Sequence, residues 1–157
     1  MEQFEKWLVQ FNKIYGENIK LKGKFAQKGW LNDSWLSGFT DAEGCFTVST
    51  ISRSSNYIQV QIRYILSQKG EEELLWSIGE EVEGRVAKVK SYGGHNMVVN
   101  YKKLGRIIKY IQKYPLQTKK KVDYLNWLKI YNLVEKKEHR NQGGLETIQK
   151  IKVKINR

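Results

Sequence analysis

The chain has 157 residues, 40% of them hydrophobic and 12% aromatic, which suits one domain with a sizeable core and excludes a disordered segment. Lys and Arg number 28 against 16 Asp and Glu, a formal charge of +12, and such a surplus points to a polyanionic partner, nucleic acid first. No stretch approaches the ~18 consecutive apolar residues of a membrane span, and the single Cys45 excludes an internal disulfide.

At the start, MEQFEKWLVQFNKIYG places Phe4, Trp7, Leu8, Phe11 and Ile14 at helical spacing, with acids early and no long apolar core. It reads as a short amphipathic helix over 1–14, not as a secretory signal or transit peptide. Residues 15–31 are basic (Lys20, Lys22, Lys24, Lys28) and contain Gly16, Gly23 and Gly29, the composition of a linker or extended arm. NDSWLSGFTDAEG follows as a helix, with Asn32 or Asp33 as N-cap and Gly44 as terminator.

From Cys45 the period changes to two. Phe46 and Val48 face one way, Thr47, Ser49 and Ile51 the other, and SRSSN reads as a turn. The run YIQVQIRYIL then alternates, with Ile58, Val60, Ile62 and Tyr64 on one face and Gln59, Gln61 and Arg63 on the other. Solvation alone accounts for a polar outer face. Gln and Arg are also the forked side chains that bind base edges in pairs of hydrogen bonds, and no acid interrupts them.

EEELLWSIGEEV reads as a helix with acids in its first turn, where the macrodipole favours them. GRVAKVK and NMVVNY are two more strands around the turn SYGGHN. A helix over KKLGRIIKYIQKY stops at Pro115, and LQTKKK is a basic loop. In VDYLNWLKIYNLVEKK the spacing puts Val122, Leu125, Leu128 or Ile130, Leu133 and Val134 on a core side; HRNQGG breaks that helix, and LETIQKIKVKIN closes the chain as another. The order ααββαββααα describes one α+β domain over 32–157 behind an N-terminal helix and basic arm over 1–31.

Asp41 and Glu43 are the chemical anomaly. They sit at a helix C-terminus, where the macrodipole makes an acid unfavourable by roughly 0.3–1 kcal/mol. A divalent cation would offset this, since Mg²⁺ takes one or two carboxylates and fills its shell with water and phosphate. Gly38 and Ala42, four apart on one face, would let a second such helix approach and bring two acid ends together. Carboxylates with bridging metals beside a basic strand surface are equipment for hydrolysing a phosphodiester. An ordinary helix end, with one acid locally bonded and the other solvated, is an equal reading of the same residues.

LSGFTDAEG, residues 36–44, resembles the LAGLIDADG signature position for position. The blocks NDSWLSGFTDAEGCF, RYILSQKGE, KYPLQTKKKVDYLNWLK and KKEHRNQGGLETIQKIKVKIN occur in the same order in LAGLIDADG homing endonucleases and maturases of organellar group I introns, so the resemblance runs from about residue 30 to the end. It implies an αββαββα saddle whose antiparallel sheet enters the major groove of a double-stranded DNA target. It implies Glu43 as catalytic acid and Mg²⁺ ligand, Asp41 in a structural part, and Gln68 and Lys119 in support of catalysis. A basic residue that some members carry after LSQK is replaced by Glu71, Glu72 and Glu73. Nucleic-acid contacts are expected from Thr47, Ser49, Arg53, Gln59, Gln61, Arg63, Arg85, Lys88, Lys90 and Lys120. Trp35, Ser37, Gly38, Asp41 and Ala42 are expected at an interface with a second copy or, in second place, another LAGLIDADG half; Trp30 could help cover it.

Two functions stand: a Mg²⁺-dependent, homodimeric DNA endonuclease, or a maturase or ribonucleoprotein component that binds structured RNA without cleaving. Either is expected in a mitochondrion or chloroplast and organelle-encoded. Cys45, His95 and His139 read as packing or turn residues, too far apart for a structural zinc site.

Overall fold

The computed structural model describes residues 2–18, 29–54 and 57–156. Lys20, Lys22, Lys24 and Lys28 of the expected arm, and Ser55 and Asn56 of the expected turn, lie outside the described residues. The elements are α1 (Glu2–Tyr15), α2 (Trp35–Glu43), β1 (Gly44–Ser54), β2 (Tyr57–Gln68), α3 (Glu72–Val82), β3 (Arg85–Val89), β4 (Gly94–Asn100), α4 (Gly105–Lys113), α5 (Lys120–Glu135) and α6 (Gln142–Lys152). Single 3₁₀ turns at Tyr101–Lys103 and Glu138–Arg140 precede α4 and α6. The expected order of helices and strands is the order found.

The four strands form one antiparallel sheet in the order β1-β2-β4-β3. Strand alternation divides its residues between two faces. Phe46, Val48, Ile62, Tyr64, Leu66, Met97 and Val99 are buried on the helix-covered face, with Leu74, Leu75, Ile78, Ile107, Ile111, Trp127 and Ile130 from the helices above them. Cys45, Thr47, Ser49, Gln59, Gln61, Arg63, Ile65, Asn96 and Val98, on the other parity, are only partly buried. Among the described residues, no helix or strand covers that second face. The hairpin of β1 and β2 is longer than the sequence suggests: Ser52, Arg53 and Ser54 continue the strand past a register shift instead of starting a turn.

In α5 the phase differs from expectation. Val122 and Leu125 are 57% and 45% exposed, and the buried line runs through Asp123, Tyr124, Trp127, Ile130 and Val134. Aromatic area decides this, because Trp127 and Tyr124 pack their rings on Phe46 at 5.2 and 5.4 Å, more contact than Val122 or Leu125 can offer. Burial pushes the Tyr124 hydroxyl up to about 12. The core also begins earlier than residue 32: Trp30 is 2% exposed and donates its indole N–H to Ser77 Oγ on α3 at 2.8 Å. The amphipathic α1 forms as expected, yet Trp7, Phe11 and Ile14 remain exposed.

Between α2 and β1 there is no loop. Glu43 ends the helix and Gly44 opens the strand at φ −75°, ψ 150°, an extended conformation open to any residue. Gly44 follows the last helical residue, as expected of a terminator, and its requirement is steric: a Cβ there would lie 2.6 Å from the Thr40 carbonyl oxygen and 2.7 Å from Thr40 Cγ2. At Gly38 a Cβ would meet nothing within 4 Å. Gly44→Ala should lower the stability of the chain by about 1–3 kcal/mol through overpacking, whereas Gly38→Ala should raise it by up to about 1 kcal/mol through helix propensity. Urea unfolding of the two variants beside the wild type measures both.

Candidate nucleic-acid interface and acid end

The buried side of α2 is held by polar contacts. The Tyr110 hydroxyl accepts from the Ser37 N–H at 2.9 Å and donates to the Asp33 carbonyl at 2.8 Å, while Tyr114 donates to the Asn32 carbonyl at 2.5 Å. Ser37 Oγ donates to the Tyr114 carbonyl. Thr40 donates to the Leu36 carbonyl at 2.7 Å, which leaves its oxygen to accept from Tyr64 at 2.6 Å. Complete burial raises the Tyr64 phenol well above its ordinary range, so it stays a neutral donor. Ser34, not Asn32 or Asp33, stands at the N-cap; the Asp33 carboxylate instead takes the Trp35 N–H at 2.9 Å.

Asp41 holds the loop before α5. Its carboxylate accepts from the Gln117 N–H at 2.9 Å and from the Thr118 hydroxyl at 2.6 Å. Thr118 Oγ1 in turn accepts from the Lys120 N–H at 3.2 Å, and Lys120 Nζ donates to the Gly44 carbonyl, next to Glu43. Lys120 thus reaches the backbone at the acid end, and Lys119, one residue before it, is exposed at the boundary of α5. Glu43 is exposed at the last position of α2, and Gln68 is half-buried at the last position of β2, two residues beyond the Gly44–Leu66 pair. Both therefore lie at one end of the sheet. Cys45 follows directly; burial raises its thiol, partly opposed by the Lys120 charge.

The uncovered sheet face collects most of the expected nucleic-acid contacts. Thr47 pairs with Arg63, and Ser49 with Gln61, across β1 and β2. Thr47 Oγ1 and Arg63 Nε are buried with no hydrogen-bond partner among the described residues, and Arg63 Nη2 reaches Ser49 Oγ at 3.5 Å. Gln59 is engaged, its carboxamide oxygen accepting from Arg53 Nε at 2.8 Å. Arg85 lies on the same face, opposite Val98. Lys88 does not: three residues on in a strand of period two, it shares the helix side with Val86 and pairs with His95. Lys90 lies beyond β3, in the turn before β4. Ser67, Asn96 and Asn100 belong to this face and were not singled out from sequence, although the alternation Asn96–Val98–Asn100 carried the signal.

Of the residues expected at a pairing interface, Trp35, Gly38 and Ala42 form an exposed stripe along α2. Phe39 completes it, stacked on Trp35 at 5.1 Å. Ser37 lies off this stripe, buried against Tyr110 and Tyr114, and the partly buried Asp41 bonds Gln117 and Thr118 through its carboxylate. Trp30 lies in the core.

A divalent cation fits this acid end as a partial site. Among the described residues no three His, Cys, Asp or Glu converge on one point. One exposed carboxylate per chain, Glu43, is the donor set of a hard cation that takes its other ligands from water and phosphate.

The family model for "LAGLIDADG endonuclease" matches residues 36–131. A "probable intron-encoded endonuclease 4" of Neurospora crassa is 46% identical over 99% of this chain, which spans only 29% of that protein's length. The crystal structure of a homing endonuclease, I-TnaI, matches at 29% identity with a TM-score of 0.72, covering 78% of this chain and 86% of that one. The I-LtrWI LAGLIDADG homing endonuclease bound to target DNA matches at 29% identity and a TM-score of 0.75, covering 94% of this chain and 51% of that one.

The path from Asp41 through Thr118 to Lys120 predicts separable effects. Asp41→Ala should cost about 1.5–3 kcal/mol, the range for hydrogen bonds to a charged group. Glu43→Gln should leave stability unchanged or slightly raised, since it removes an acid from a helix C-terminus. Parallel thermal melts of the two variants test the contrast; equal destabilisation would contradict it.

Proposed function

The chain belongs to the LAGLIDADG endonuclease family, and we propose on that footing that it is a site-specific DNA endonuclease that acts as a pair of such domains with Mg²⁺. The observation that carries this reading is the placement of Glu43: an exposed carboxylate at the mouth of an uncovered sheet face, beside a lysine already oriented. Endonucleases of this family are divalent-metal enzymes. Here Glu43 would hold the cation, which supplies charge neutralisation at a scissile phosphate. Lys120 spends one of its three ammonium protons on the Gly44 carbonyl and keeps two for phosphate oxygens. Gln68, at the same sheet end, is assigned to orienting water, and Arg63, Gln61 and Arg85 to base or phosphate contacts.

Pairing is assigned to the stripe Trp35, Gly38, Phe39 and Ala42, which is apolar, exposed except at the half-buried Phe39, and lacks any side chain at Gly38. A second copy is the first choice, supported by the 86% of the I-TnaI chain that this chain covers. A separate LAGLIDADG half is the second choice, supported by the 51% of the I-LtrWI chain that it covers. The intron-encoded relative supports an organellar, first a mitochondrial, location. RNA binding without cleavage has one observation in its favour: the exposed Lys109, Lys113, Lys129 and Lys150 lie on α4, α5 and α6, and Lys136 just after α5, off the sheet.

The test is incubation of the purified chain and Mg²⁺ with duplex DNA spanning the insertion site of its own gene. The wild type should cut, and Glu43→Gln should bind the same duplex without cutting. Neutralising about six to ten phosphates would weaken binding ~10³–10⁵-fold between about 50 and 200 mM salt. Cleavage by Glu43→Gln at the wild-type rate would refute the assignment of the acid. Tighter binding of structured RNA at every salt concentration would favour the second reading.

A further inference from the structure

The register of the sheet sorts its uncovered face into cross-strand rows. One row runs Thr47, Arg63, Asn100 and another Ser67, Asn96, Ala87. Between them lies a row of different chemistry: Cys45 opposite Ile65, Ile65 opposite Val98, and Val98 opposite Arg85. Strands about 4.8 Å apart make three consecutive apolar positions a strip about 10 Å long. Cys45 is two residues from Glu43, so the strip begins at the acid end. Ile65 and Val98 are half-buried on a face that no described helix or strand covers, flanked along their strands by polar residues.

We infer that this row is a specificity determinant that selects thymine, through its C5-methyl group, at the base pairs of each half-site nearest the cleavage centre. The inference rests on the proposed DNA-binding function. In the major groove each base pair presents hydrogen-bond donors or acceptors, and thymine alone adds a methyl group. Ile65 and Val98 have no group that can bond a base edge, so a donor or acceptor pressed against them loses its water without a replacement. A methyl group pressed there gains apolar contact instead. The cross-strand contact of Ile65 with Val98 also supports the sheet, but that contact does not require the outward face, where the residues on either side of both along β2 and β4 (Arg63, Ser67, Asn96 and Asn100) are polar.

The experiment is selection from a randomised duplex library by the full-length chain and by an Ile65→Asn/Val98→Asn variant, with Ile65→Thr as a milder change should the double variant fold poorly. In the duplex selected by the wild type, each thymine is then replaced singly by deoxyuridine. Thymine should be enriched next to the centre, and loss of its methyl there should weaken wild-type binding about fourfold, the factor for burying one methyl group. The same replacement should leave the affinity of the variants unchanged. If deoxyuridine has no effect at those positions, or an equal effect in wild type and variants, the row does not read thymine. If the chain selects no duplex at all, the DNA-binding proposal fails and this inference fails with it.

Discussion

The passage from Glu43 to Gly44 without a loop governs the site. A helix that turns into a strand in one step fixes where its last residue stands, and here that place is the end of the sheet. Thr40 closes over the step, with its carbonyl and methyl filling the space that any Cβ at Gly44 would need. Tyr64, from the adjacent strand, bonds Thr40 from inside the core. The backbone of the acid end is thus set by sterics and a buried hydroxyl pair.

The same helix has a second job on each of its other sides. Its buried side is tied by Tyr110 and Tyr114 and its flank by Asp41, so the polar residues of the motif, apart from Glu43, are used within the chain. What remains outside is Trp35, Gly38, Phe39 and Ala42. The division explains how nine residues combine an acid, a packing surface and a hinge to the sheet without conflict: helical periodicity gives each function its own angular sector.

Legibility from sequence followed the strength of the local pattern. The face of β2 was readable because Ile62, Tyr64 and Leu66 are buried while Gln61 and Arg63 are not, which is the condition for strict alternation. The phase of α5 was not readable from aliphatic spacing, because Phe46 sits across from Trp127 and Tyr124, and only the tertiary contact says which side they take. The place of Lys120 was not readable from sequence, because it comes from the capping of its amide by Thr118 and hence from Asp41, a tertiary contact. Lys88 was readable and was missed, since counting by twos from Arg85 already puts it on the opposite face.

Charge is distributed by face as well as by number. The uncovered sheet face carries Arg53, Arg63 and Arg85, and no acid occupies β1, β2, β3 or β4. Acids gather instead on the helices, where Glu72 and Glu73 open α3 and Glu83 pairs with Lys103 and Arg106. Lysines on those helices add to the field around the whole chain, which raises the encounter rate with any polyanion and carries no sequence information. Discrimination has to come from the side chains that reach bases. On the proposed DNA-reading face those side chains would be arginines and neutral polar or apolar residues, arranged in rows by strand register. A shift of one residue in β4 would exchange Asn96, Val98 and Asn100 for the buried Met97 and Val99, disrupting the outer rows and the core packing together. Register is therefore selected by stability, and the outer face inherits its order from the core beneath it.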